Sequence, residues 1–339
     1  MPTAFITGAS GFIGRHLVER LREMGYEVTC LVRPTSQVEH LERLGARLVP
    51  GDVTDAESVR QGVRGAELVF HLAGMTMAVD RQRLMQVNEG GTACVAGACA
   101  EQTTPPTMVY VSSLAAAGPA KGGRPRTERD APEPVSYYGR SKRAGEIVVA
   151  AHADRVPVSI VRPAIVFGEG DTQMAKMFLP ISRFGIHMVP TFADRRYSIV
   201  HALDLSHLIV QAALQGKRLE HEHSGENNFA QGYYFAATDD QPTYAELGRM
   251  IGRALGRRRV WVVRNLQAAA WCLAAMSEGW ARLRGQPTIL NLDKVREASA
   301  GSWICSIDTA KRELGFAPLR TLAERLEQTA AWYRKAGWL

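Results

Sequence analysis

The sequence predicts an α/β fold built on a dinucleotide-binding turn, and two observations carry that expectation. At the N-terminus an apolar run, Thr3 to Thr7, meets Gly8, and a helical pattern through Phe12, Ile13, Leu17, Val18 and Leu21 follows. Far along the chain, Tyr138 and Lys142 stand four residues apart, so a helix presents the phenol and the ammonium on one face. With 339 residues and 46% hydrophobic content, the chain can bury a large core in two lobes.

Strand, tight turn and helix form the context in which glycines serve a dinucleotide, as in a Rossmann-type domain. Gly8 makes the turn, Gly11 lets backbone approach a pyrophosphate, and Gly14 lets the helix pack closely on the sheet. Phe12 and Ile13 open the helix, whose N-terminus faces the anion. The second strand, Glu27-Val28-Thr29-Cys30-Leu31-Val32-Arg33, ends where an NAD enzyme places a carboxylate on the adenosine ribose. Here that position holds Arg33, whose guanidinium can grip a 2′-phosphate, with Thr35 and Ser36 adding hydroxyl donors. NADP(H) is favoured. NAD(H) stays open, because Arg33 could instead stack on adenine.

The spacing Gly8-x-x-Gly11-x-x-Gly14 together with the Tyr138/Lys142 pair resembles the extended short-chain dehydrogenase/reductase family, in its NAD-dependent epimerase/dehydratase and 3β-hydroxysteroid dehydrogenase-like branch. The resemblance implies a doubly wound parallel sheet of seven strands that binds NAD(P), a smaller C-terminal α/β substrate lobe and a Ser/Thr-Tyr-Lys catalytic group. Asp52-Val53 resembles the step that meets the adenine amino group, and Leu72-Ala73-Gly74 the segment lying along the cofactor. Asn88, in Val87-Asn88-Glu89-Gly90-Gly91-Thr92, resembles the helix that braces the fourth and fifth strands, and supports the catalytic group through a backbone or water contact. Ser113 is the implied catalytic serine, with Ser112 as its structural neighbour. Pro163 and Val166, in the run from Val161 to Gly168, resemble the segment beside the nicotinamide. Leu314-Gly315-Phe316-Ala317-Pro318 and Trp332-Tyr333-Arg334 resemble the closing loop and last helix. Residues 1–168 are expected to bind NAD(P), with return segments at about 195–215 and 231–240, and residues 169–339 to form mainly the substrate lobe.

The chemistry follows from the side chains. A phenol releases its proton near pH 10, and a neighbouring lysine cation favours the phenolate, so Lys142 is expected to lower the Tyr138 pKa and to hold the nicotinamide ribose. Ser113 stabilises the developing alkoxide. For the substrate, Arg195-Arg196-Tyr197-Ser198-Ile199-Val200-His201-Ala202-Leu203-Asp204-Leu205 places Tyr197 where nucleotide-sugar enzymes of the family carry a pyrophosphate-gripping arginine, and Ser198 where they carry an aspartate. Met75 and Met77, with Met174, Met177, Phe178, Leu179, Ile181, Phe184, Ile186 and Met188, suit an apolar pocket or plain core. The expected activity is NADP(H)-dependent oxidation or reduction of a hydrophobic ketone or secondary alcohol. The alternatives are a nucleotide-sugar epimerase or dehydratase, and a non-catalytic cofactor sensor, which has no need of Ser113, Tyr138 and Lys142.

Other classes fit less well. The net charge is +7, yet the basic residues are dispersed and only seven of 41 are lysine, so no nucleic-acid partner is expected. Arg257-Arg258-Arg259 and Arg124-Pro125-Arg126 read as solvated loops. Five cysteines without paired spacing fit reduced thiols, and no basic n-region precedes an apolar core, so a cytoplasmic location is expected. No metal is expected: His221-Glu222-His223 reads as a solvated turn, short of the four ligands of a structural zinc site. Residues 266–276 form an apolar stretch too short to span a bilayer, hence no transmembrane segment; it reads as a packed helix, with weak contact to a membrane surface as the alternative. Residues 118–134, rich in Gly, Pro and Arg, read as a mobile flap. The resemblance implies a homodimer.

Overall fold

The computed structural model describes residues 1–78, 80–189, 193–220, 230–264, 276–278, 284 and 292–339. Among these residues the strands are β1 (Thr3–Thr7), β2 (Glu27–Val32), β3 (Arg47–Pro50), β4 (Leu68–His71), β5 (Thr107–Val111), β6 (Val158–Pro163), β7 (Ile165–Phe167), β8 (Ile186–Val189), β9 (Ile199–His201), β10 (Tyr233–Ala236) and β11 (Trp261–Arg264). Seven of them form one sheet in the order β10-β6-β5-β4-β1-β2-β3, and every pairing in it is parallel. The family's seven-stranded, doubly wound sheet is therefore present.

A parallel sheet is covered on both faces, which is why its central strands read as unbroken apolar runs. One face packs on helices Phe12–Glu23 and Ala202–Gln215 through Leu17, Leu21, Leu205 and Leu208. The opposite face packs on Ala56–Val63, Gly91–Ala100 and Tyr137–Ala150 through Val59, Val63, Val95 and Val149. Strand order reverses between β4 and β1, so a crevice opens beyond the carboxyl ends of those strands, the usual ligand position in such sheets. The register sets Thr7 beside His71, and His71 beside Tyr110. His71 is fully buried and bridges Thr7 Oγ1 at 2.6 Å and Thr92 Oγ1 at 2.9 Å. Burial and the nearby Lys142 push its pKa down to about 3, so the ring is neutral and ties sheet to helix.

One expectation from the sequence is corrected here, and one pair of alternatives is decided. Residues 118–134 are stitched into the structure: Arg126 is buried and donates to the Ala117 and Ala131 carbonyls, while its amide donates to Ile304 O at 2.9 Å. Buried Glu128 accepts from Phe235 N at 3.1 Å and from Thr309 Oγ1 at 2.9 Å. Loop-like composition hid these partners because they come from distant strands and helices. Of the two readings of the methionine-rich segment, plain core holds for Met174, Phe178 and Ile181, which pack with Leu247, Ile251 and Tyr333, while Phe184, Ile186 and Met188 are exposed. His221-Glu222-His223 and residues 266–275 lie outside the described residues. Among the described residues no helix is long and apolar enough to cross a membrane, and no cluster of three metal-ligating side chains occurs.

Candidate active site

The site is organised by the helix Tyr137–Ala150, which begins at Ser136; the Ser136 hydroxyl accepts from Gly139 N at 2.9 Å. Tyr138 and Lys142 lie one turn apart on it. The Ser113 hydroxyl, two residues past the end of β5, accepts from Ala115 N at 3.1 Å and lies close enough to the Tyr138 phenol to lower its pKa. Lys142 is buried, with Nζ 4.3 Å from the centroid of the Tyr110 ring. Burial takes its pKa down to about 7, against a partly opposing pull from the Glu146 carboxylate.

The Tyr138 pKa is raised, contrary to the lowering expected from Lys142. Burial of the hydroxyl dominates; the Ser113 hydroxyl and the positive charge of Lys294 work against it, and Glu297 adds to it. Lys142 is not among the groups that set the Tyr138 pKa, and burial lowers its own. The cation that faces the tyrosine is Lys294, with Nζ 5.2 Å from the Tyr138 ring centroid and 2.7 Å from Glu297 Oε2.

Two polar braces hold the helix in place. Glu146 and Arg162 are both buried and form a two-pronged ion pair at 2.8 and 2.6 Å; Ser112 Oγ donates to Glu146 Oε1 at 2.6 Å. Burial opposes ionisation of Glu146, but Arg162 overcomes it and keeps the carboxyl below its ordinary range. Asn88 sits in a π turn, Gln86–Gly90; its Oδ1 accepts from Met75 N at 2.7 Å, and its Nδ2 donates to Met75 O and to Ser141 Oγ, each at 2.8 Å. Asn88 thus joins the segment after β4 to the catalytic helix and touches Tyr138 only through that helix.

Sequence reasoning missed a third brace from the C-terminal lobe. In the helix Leu292–Ser299, the Asp293 carboxylate accepts from Tyr137 N at 2.9 and 3.0 Å and from Tyr138 N at 3.3 Å. Ser136 Oγ donates to Glu297 Oε1 at 2.6 Å. A carboxylate here complements the positive end of the catalytic helix. No local pattern marks Asp293, Lys294 or Glu297, which reach the helix only through a contact some 150 residues distant in sequence.

The cofactor cradle is backbone. Gly8 has φ 77°, and a Cβ there would fall 2.6 Å from Ala73 N. A Cβ on Gly14 would collide with the Gly8 carbonyl and Ala9, so the helix approaches the strand as closely as backbone allows. Gly11 caps the helix Phe12–Glu23 without any side-chain bond, leaving the first amides, Phe12 and Ile13 among them, clear of side-chain partners. Leu72, Ala73 and Gly74 follow β4, and a Cβ on Gly74 would stand 3.0 Å from Asn88 Oδ1 and 3.7 Å from Lys142 Nζ. Arg33 is exposed beyond β2 in a turn closed by Ser36, whose hydroxyl accepts from Arg33 N at 3.2 Å. Asp52 Oδ1 accepts from Thr54 N and Oγ1. Burial opposes its charge, but those bonds and Arg33 keep its pKa below the ordinary value. Val53 is buried core under the cradle; Pro163 ends β6 and Val166 lies in β7. These residues fit a nicotinamide dinucleotide, since the cradle is glycine-lined and faces uncapped amides.

In the segment from Arg195 to Leu205, Tyr197 is buried and packs edge-on against Tyr244 at 5.7 Å, and Ser198 is buried with its hydroxyl accepting from Cys305 N at 3.1 Å. Neighbouring arginines are committed elsewhere: Arg195 donates to the Ala298 carbonyl, and Arg196 donates to Gln241 O at 2.9 Å.

A model of the NAD dependent epimerase/dehydratase family matches residues 4–224. The chain is 29% identical to a ceramide reductase of Caulobacter vibrioides over 98% of this chain and 95% of that protein. It is 26% identical to a 2-alkyl-3-oxoalkanoate reductase of Shewanella oneidensis, over 97% and 85%. A solved UDP-glucose 4-epimerase of Thermotoga maritima superposes with TM-score 0.76 at 21% identity, over 98% of this chain and 99% of that one, a likeness of fold.

Proposed function

Because the chain belongs to the NAD dependent epimerase/dehydratase family, we propose that it is an NADP(H)-dependent oxidoreductase acting on a hydrophobic ketone or the matching secondary alcohol. One observation carries the choice within the family: a buried tyrosine, Tyr197, stands at the position that grips a pyrophosphate in nucleotide-sugar enzymes, and Arg195 and Arg196 are bonded to backbone carbonyls. The two relatives, called a ceramide reductase and a 2-alkyl-3-oxoalkanoate reductase, support the same reading.

A nicotinamide dinucleotide held at the Gly8–Gly14 turn would supply or accept the hydride. The protein's own residues manage the oxygen and its proton. Ser113 and Tyr138, whose hydroxyls neighbour each other, would hold the carbonyl oxygen between them. Tyr138 donates the proton in reduction and accepts it in oxidation. Its raised pKa keeps the phenol protonated at neutral pH, the form that reduction requires. Lys142, beside Gly74 and Tyr110, would hold the nicotinamide ribose, and Asn88 and Glu146 hold the helix in register. Arg33 and Ser36 provide the contacts for a 2′-phosphate.

The test is absorbance of NADPH with apolar keto compounds beside UDP- and dTDP-sugars, using wild type and Tyr138→Phe. The expected result is net NADPH consumption with the keto compounds, abolished in Tyr138→Phe while NADPH still binds. Tight nucleotide-sugar binding, with product formed and no net change in cofactor, would overturn the reading.

A further inference from the structure

Five of the eleven large hydrophobic side chains exposed among the described residues gather on one edge of the C-terminal lobe. β8 and β11 pair in parallel, with Ile186 opposite Trp261 and Met188 opposite Val263. Side chains alternate along a strand, so these four project from one face, where they are 37%, 71%, 57% and 44% exposed. His187 and Val189 point the other way and are buried. Phe184, 69% exposed, ends the helix Thr172–Phe184 beside Gly185, whose carbonyl accepts from Trp261 N at 2.7 Å. A small sheet with one buried face ordinarily turns polar residues outward. This one turns tryptophan, methionine, isoleucine and valine outward.

Directly beside Trp261 is a cavity of about 370 Å³ lined by Arg249, Arg253, Arg257, Arg258 and Arg259, with no acidic side chain in its lining. Arg257 is bonded to the Ser182 carbonyl, while Arg249, Arg253, Arg258 and Arg259 are exposed. Glu246 borders Arg249 and Arg253 on the side away from the tryptophan. Apolar face and cationic rim are therefore contiguous, joined at Gly185 and Trp261.

We propose that the Phe184–Ile186–Met188–Trp261–Val263 face docks on an anionic lipid surface, its apolar side chains entering the headgroup boundary and the arginines meeting lipid phosphates. Charge complementarity selects this occupant. Nucleic acid offers phosphates but no hydrocarbon to receive Trp261 and Met188. A second copy meeting the same face across a two-fold axis would press one arginine cluster against the other. A lipid surface presents negative charge and hydrocarbon side by side, and tryptophan is suited to that boundary. The inner face of the same sheet reaches the substrate lobe: the His187 ring lies 5.1 Å from that of Tyr244, which packs against Tyr197. An apolar ketone could thus be drawn from the layer on which the enzyme rests.

The experiment is sedimentation of the full chain with vesicles of phosphatidylcholine alone and of phosphatidylcholine mixed with phosphatidylglycerol. It contains neither substrate nor cofactor, so its outcome is independent of the proposed reaction. Binding should be at least about tenfold tighter to the anionic vesicles and should weaken with salt. Met188→Glu and Trp261→Glu, and separately the double variant Arg258→Glu with Arg259→Glu, should each lower binding by roughly tenfold or more. Their melting temperatures should stay near wild type, because these side chains are exposed. Equal partition to both vesicles, no partition, or full binding by Trp261→Glu overturns the proposal. So does a concentration-dependent dimer that Met188→Glu dissociates, which would assign the face to a second copy, or tighter binding to duplex DNA than to the anionic vesicles.

Discussion

Replacing Lys142 by methionine should make the cofactor-free protein more stable while inactivating it. Burial moves the Lys142 pKa from 10.5 to about 7, a drop of about 3.5 units, which at about 1.36 kcal/mol per unit bounds the cost of the buried ammonium at about 5 kcal/mol. Water drawn toward the charge reduces this to about 2–4 kcal/mol, and the cation–π contact with Tyr110, worth about 1 kcal/mol, offsets part of it. A net gain of about 1–3 kcal/mol follows for Lys142→Met, which keeps the apolar stem and drops the charge. The pH dependence gives the sharper check. Below pH 7 both folded and unfolded chains carry the proton, and the full penalty is present. Between pH 7 and the unfolded value near 10.4, the unfolded chain keeps a proton that the folded chain has shed, so wild-type stability rises with pH. Urea unfolding without cofactor, at pH 6, 8 and 9.5, should show the variant's advantage at pH 6 shrinking toward pH 9.5. A variant less stable than wild type at pH 6, or a difference that does not change with pH, would refute the argument.

Three further outcomes are expected. Glu146→Ala leaves Arg162 buried without its partner and should cost about 3–5 kcal/mol in denaturant unfolding; in wild type the contribution of Glu146 is complete at neutral pH and is lost as pH falls through its lowered folded pKa, so the gap should narrow in acid. Arg33→Asp removes one or two charge-assisted contacts, each about 1.5–3 kcal/mol, and should weaken NADPH binding by at least roughly tenfold while affecting NADH less; wild-type NADH binding as tight as NADPH would sink the preference. Lys294→Met removes the cation facing Tyr138 and should move the acidic limb of alcohol oxidation to higher pH, whereas Glu297→Gln should move it lower. Shifts in the same direction for both would indicate general disruption instead.

The sequence by itself determined the parts whose signals are local. The run from Thr3 through Gly14 announces strand, turn and helix because glycine is required where backbone meets backbone, as the closeness of Gly8 to Ala73 and of Gly14 to Gly8 demonstrates. The Tyr138/Lys142 spacing is local too, and the family resemblance matched Ser113 to it by its distance before Tyr138. Tertiary structure alone decided what surrounds those groups. Whether the charge on Lys142 survives depends on burial, and the cation at Tyr138 proved to be Lys294, a residue from another lobe. Residues 118–134 have the composition of a flap, yet Arg126 and Glu128 find buried partners that only the folded chain supplies. The same holds for the methionine-rich segment: periodicity marks Met174 and Phe178 as apolar, but which apolar residues become core and which are left on an outward sheet face depends on what packs against them. Covalent geometry and spacing act along the chain and can be read from it; burial and charge are fields set by everything nearby, and they exist only once distant segments meet.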